Sequence, residues 1–154
     1  APSEVPCPPA LASQPQCQRA WARSRALLGV GLNTPEEQVS RCGAQTFEPS
    51  ADGLSMIVRS RCESDLPPGK WRLLGVRVHM HQRGLSAGLT SSRPLLRIPA
   101  WDYRFENTYA PAELVEVNGK LTIDCAWAAG SRYHTFELGK DGEMCVGSVV
   151  LGSL

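Results

Sequence analysis

WRLLGVRVHMH, residues Trp71 to His81, is rich in Leu and Val, follows Pro67-Pro68-Gly69, and holds two of the three histidines in the chain. Aliphatic and β-branched residues bounded by turn formers predict a β-strand. Side chains on a strand alternate faces, so Arg77, His79 and His81 point one way and Val76, Val78 and Met80 the other. Two imidazoles then stand side by side on a rigid element, from which one metal ion can be held without moving the backbone. A His-x-His pair alone is more often incidental than a ligand pair, so the case turns on a third donor elsewhere.

The same texture extends outward from this strand. After Gly43, short runs of apolar and β-branched residues alternate with Gly, Pro, Asn and Asp turns. Strands are expected near 44–48, 54–62, 71–81, 85–90, 95–98, 103–109, 114–117, 120–127, 133–137 and 143–151, with Asn118-Gly119 as a tight turn. So many strands without intervening helices predict an all-β domain over 44–154, a jelly-roll-like two-sheet β-sandwich. Residues 1–43 are expected to be an N-terminal extension with short helices packed on it. Its Pro- and Ala-rich start would be tied back by Cys7, with Cys17 as partner. QCQRAWARSRALL, residues 16–28, predicts one short helix. Asn33-Thr34 as cap, Pro35, Glu36, Glu37 and then Gly43 predict a second.

Composition removes several function classes. A 154-residue chain is most simply one domain able to bury its own core. The net charge is +1, with 16 basic and 15 acidic residues intermixed. No one-signed run exists for a nucleic acid or an anionic membrane, and no apolar run approaches the length of a membrane span. Six cysteines without a C-x-x-C pair favour disulfides over a zinc cluster, hence a periplasmic or secreted protein. Ala1-Pro2-Ser3-Glu4 does not read as an export leader, so this expectation rests on the cysteines.

Copper(I) is a soft ion that prefers thioether and imidazole, so a methionine able to reach the histidines makes copper the candidate metal. The chain offers Met56, Met80 and Met144. Met80 should face away from the imidazoles. Met144, in Gly142-Glu143-Met144-Cys145, opens the last strand and points opposite to Cys145. A disulfide from Cys145 would anchor the backbone while Met144 faces the site, and Cys125 on the strand starting at Leu121 is its natural partner.

Four ordered stretches carry a family resemblance: Arg77-Val78-His79-Met80-His81, Trp101-Asp102-Tyr103-Arg104-Phe105 leading to Tyr109, Leu121 to Trp127 around Cys125, and Glu143-Met144-Cys145. Over about residues 54 to 152 the chain resembles the C-terminal catalytic domain of the ascorbate-dependent type II copper monooxygenases, the family of peptidylglycine α-hydroxylating and dopamine β-monooxygenases. The resemblance implies a jelly-roll β-sandwich, a Cys125–Cys145 disulfide, and His79, His81 and Met144 as ligands and catalytic residues of a single copper, cycling between Cu(I) and Cu(II), where oxygen binds and substrate C–H bonds are attacked.

The departures are equally specific. Family enzymes carry a second copper domain that takes electrons from ascorbate through three histidines, whereas here only His134 remains outside the pair. Electrons would have to come from ascorbate directly or from a partner protein carrying the second copper. Arg77 matches a family arginine that binds a substrate carboxylate, but its asparagine and tyrosine companions are replaced by Val146 and Ser148. Arg77 is thus a candidate substrate residue, with a structural ion pair as the alternative. Cys62 matches a family cysteine whose usual partner lies beyond this chain and Cys42 has none in that pattern, so Cys42–Cys62 is expected and Cys7–Cys17 follows by elimination. Tyr109, Trp21, Trp71, Trp101 and Trp127 are expected in the core rather than against a cofactor, and His134 at the surface or in a hydrogen bond. The expected function is copper-dependent hydroxylation of a small-molecule or peptide substrate. The alternatives are a non-catalytic copper(I) storage or delivery protein, or a fold kept for partner interaction.

Overall fold

The computed structural model describes residues 3–5, 20–22, 26–32, 34–39, 41–66, 68–129 and 143–154, those before residue 42 and Ser153 as backbone alone. One sheet holds β5 (Arg41–Cys42), β6 (Thr46–Pro49), β7 (Met56–Asp65), β9 (Gly84–Thr90), β10 (Pro94–Ile98) and β12 (Lys120–Ala129), in the order β10-β9-β12-β7-β5 with β6 also on β7. The other runs β11-β8-β13-β3-β4, from β11 (Glu116–Val117), β8 (Trp71–His79), β13 (Cys145–Ser153), β3 (Ala26–Leu32) and β4 (Thr34–Val39). A separate pair joins β1 (Ser3–Val5) to β2 (Ala20–Ala22). From β7 onward the chain passes repeatedly between the two large sheets, as the expected jelly-roll-like sandwich requires.

Alternation builds the core between them. Val58, Leu89 and Ile123 from one sheet and Val78, Val149 and Leu151 from the other are each at most 3% exposed. Burying each such side chain contributes about 1.5–3 kcal/mol. One irregularity matters for the outer face. Leu151 pairs with Leu73 but Val150 pairs with Gly75, so Leu74 is an extra residue on β8 and is exposed. This bulge reverses the alternation. Leu73 faces inward before it, and Val76, Val78 and Met80 do so after it, leaving Arg77 and His79 on the outer face.

Two disulfides brace the framework. Cys125–Cys145 ties β12 to β13 across the sandwich, with Cα atoms 6.1 Å apart. Cys42–Cys62 joins β5 to β7 within one sheet. Both agree with the expected pairings, and the described residues include no free cysteine. Cys7–Cys17, His134 and the expected 133–137 strand lie outside the described residues. No helix among the described residues is long and apolar enough to cross a membrane.

Three expectations are corrected. The second helix is β4, antiparallel to β3, and β3 runs parallel to β13. Of the first helix, residues 20–22 and 26–28 are strand and the rest lies outside the described residues. The free edge of β13 takes Leu28-Gly29-Val30-Gly31, and pairing overrides local capping signals, while Pro35 is tolerated because β4 is an edge strand. Residues before 44 therefore supply strands to both sheets. The 103–109 strand is instead a 3-10 turn, Tyr103–Phe105, followed by a lone bridge from Tyr109 to Val76. Asp102 caps that turn by accepting from the Arg104 amide at 3.0 Å, a side chain to backbone bond that competes with strand pairing. The Arg104 side chain and amide hold the Asp102 carboxyl down to about 2.

Replacing Cys125 and Cys145 together by Ala should lower the unfolding free energy by about 3 kcal/mol, from the loop entropy returned to the unfolded chain. Urea denaturation of parent and double variant measures this, and an unchanged midpoint would show that the bridge braces nothing.

Candidate functional site

The antiparallel pairing of β8 with β13 places Arg77 and His79 beside the first residues of β13. Ser148 stands opposite Arg77 and Val146 opposite His79. His81 lies two residues past the end of β8 and Met144 just before the start of β13, and Met144 is buried. The rings of His79 and His81 lie 5.1 Å apart between centroids, at 79° to each other. Met80 is fully buried on the opposite side, as expected.

Glu143 fastens this end of the sheet. The residue is 5% exposed. Oε1 accepts from the His81 amide at 2.5 Å and the Met144 amide at 3.1 Å, and Oε2 accepts from the Arg83 amide at 3.1 Å. One oxygen thus joins the backbones of two candidate ligands that are 63 positions apart in the chain. Burial pushes the Glu143 carboxyl above its usual range, against the lowering effect of these amides. The carbonyl of His81 is held as well, accepting from Trp101 Nε1 at 3.1 Å and from the Gly84 amide at 3.2 Å. Residue 84 must be glycine for the indole to lie so close, because a Cβ there would stand 2.5 Å from Trp101 Cδ1. Next to Met144, Cys145 is tied to Cys125.

Glu106 fastens the other histidine. It follows the 3-10 turn, and its side chain is 13% exposed. Oε2 lies 2.7 Å from His79 Nδ1. Oε1 accepts from Arg77 Nε at 2.6 Å and from Arg77 Nη2. Burial alone would raise the Glu106 carboxyl, but hydrogen bonds from His79 and Arg77 hold it below its ordinary value. Arg77 therefore makes the ion pair that was the alternative to substrate binding. Sequence reasoning assigned no role to Glu106 or Glu143. The signal for Glu143 was its place beside Met144, and for Glu106 a lone carboxylate in an aromatic stretch expected to be a strand.

Two imidazoles and a thioether form a soft donor set that suits copper(I). Among the described residues no group of three or more His, Cys, Asp or Glu could hold an ion. Of the aromatic residues expected in the core, Trp127 is buried and Trp71 and Trp101 are partly buried, but Tyr109 is 41% exposed. It forms the outward end of the bridge to Val76. The Trp21 side chain lies outside the described residues.

Glu143→Ala should leave three amides without their acceptor at about 1–3 kcal/mol each. Hydrogen exchange at His81, Arg83 and Met144 should speed up by at least tenfold, and unchanged protection would show that the carboxylate is not the clamp. The lowered Glu106 value fixes the sign of a pH effect. Its stabilisation is complete above the ordinary 4.5 and is lost as pH falls through the lower folded value. The parent should exceed Glu106→Gln by about 1 kcal/mol at neutral pH, with Arg77 half-exposed. That margin should shrink in acid denaturation series below this point, and one constant with pH would contradict the ionic pairing.

No model of a known protein family matches the chain and no curated protein is similar enough in sequence to count as a relative, so what the site can do follows from its own donors and their geometry.

Proposed function

We propose that this β-sandwich binds one copper ion through His79, His81 and Met144 and acts as the oxygen-activating part of a copper- and ascorbate-dependent monooxygenase, hydroxylating substrate C–H bonds when electrons are supplied. The observation that carries this is the β8–β13 register together with the Glu143 carboxylate shared by the His81 and Met144 amides. Copper held there would supply one-electron cycling between Cu(I) and Cu(II) and an open position for oxygen. The chain contributes the rest. The Met144 thioether favours the reduced ion, and the two imidazoles supply neutral nitrogen donors. Glu106 and Glu143 hold the ligand-bearing backbone and ring in place.

Ascorbate, or a partner protein with a second copper, would supply the electrons, and a small molecule or peptide would approach over the outer face beside Val146 and Ser148. The two disulfides support a periplasmic or secreted location. A second reading, a copper(I) storage or delivery protein, draws on the 35% exposure of the His79 side chain, since ligand exchange with another carrier needs an accessible donor.

Copper-loaded protein given ascorbate should consume oxygen, and more so with a suitable substrate, whereas uptake of one copper without oxygen consumption would favour the carrier. Met144→Ala should weaken copper(I) at least tenfold more than copper(II) in chelator competition. Equal losses for the two ions would rule out thioether ligation.

A further inference from the structure

We propose that Glu106 is a positioning residue: by accepting the Nδ1 proton of His79 it selects the tautomer whose Nε2 carries the free lone pair, and Arg77 holds Glu106 in place to do so. This deepens the copper reading of the same site and depends on it only for its consequence, not for its geometry.

An ionised carboxylate can only accept, so the 2.7 Å contact between Oε2 and His79 Nδ1 puts the proton on Nδ1. The other oxygen is committed to two N–H groups of Arg77, so the carboxylate cannot turn away without breaking that fork. Its carrier is fastened on both sides. Asp102 caps the turn before it, and Tyr109 exchanges backbone hydrogen bonds of 2.9 Å with Val76 after it. At 13% exposure, water competes poorly for the carboxylate. An imidazole left to water favours the opposite tautomer, with its proton on Nε2, which must be lost before that nitrogen can bind a metal. A carboxylate on the second ring nitrogen is the usual device that sets the orientation and basicity of a ligating histidine. Arg77 thus serves the site through Glu106 rather than standing ready for an anionic substrate.

The test uses the copper-free protein labelled with nitrogen-15 in histidine, read by long-range proton–nitrogen spectra at about pH 8, above the ordinary imidazole range. A His79→Gln spectrum assigns the resonance. In the parent His79 should be the Nδ1-protonated tautomer. Glu106→Ala should shift it toward Nε2 protonation and weaken copper(I) binding about 10–100-fold in chelator competition. Glu106→Gln has one acceptor oxygen, which Arg77 holds, and turns its NH2 toward Nδ1, so it should keep the loop fastened yet still favour Nε2 protonation and weaken copper(I), an outcome that mere fastening of the loop would not produce. His79 protonated on Nε2 in the parent, or an unchanged tautomer in Glu106→Ala, overturns the proposal. A parent that takes up no copper(I) overturns the copper reading alone, because the tautomers are measured without metal and decide the hold of Glu106 on His79 either way.

Discussion

The antiparallel ladder between β8 and β13 governs everything that the outer face of this protein can do. Because cross-strand partners share a face, the register that pairs His79 with Val146 sets Ser148 beside Arg77 and Val146 beside His79. A slip of one residue on β8 would send the imidazoles into the core and its valines into water. The bulge at Leu74 is part of the same constraint. Without that extra residue, the phase that buries Leu73 would bury Arg77 and His79 as well.

Around this ladder the protein spends two carboxylates of opposite character. Glu143 is buried and accepts from the backbone amides of His81, Arg83 and Met144, so it shapes the chain on which His81 and Met144 sit. Glu106 is largely covered and bonded to the side chains of His79 and Arg77, so it acts on a ring and a guanidinium. The first holds positions and the second holds an orientation. Trp101 and Gly84 complete the support from below by clasping the His81 carbonyl, and the Cys125–Cys145 bridge ties the Met144 end to the opposite sheet.

Much of this was legible from residues alone. Alternation in Val76-Arg77-Val78-His79-Met80-His81 specifies which side chains share a face, since period two is a property of any strand. The apolar runs between turn residues specify an all-β domain, and Cys145 beside Met144 suggests a braced last strand. Local signals failed where a partner strand outweighed them. Thr34-Pro35-Glu36-Glu37 reads as a helix start, yet it lies on the edge of a sheet because β3 offers hydrogen bonds that a short isolated helix cannot match. Tyr103 to Tyr109 reads as a strand, yet Asp102 bonds its own backbone first.

What the sequence by itself determined, then, was composition of faces: a His-x-His pair outward, aliphatic residues inward, soft donors present, disulfides available. Only the tertiary structure decided what stands beside the histidines and what steers them. The register of β13 on β8, the bulge at Leu74, and the reach of Glu106 to His79 across 27 positions all depend on contacts between segments distant in the chain. Periodicity is local and can be read from neighbours, whereas register and side-chain reach are set by whatever the rest of the fold brings alongside.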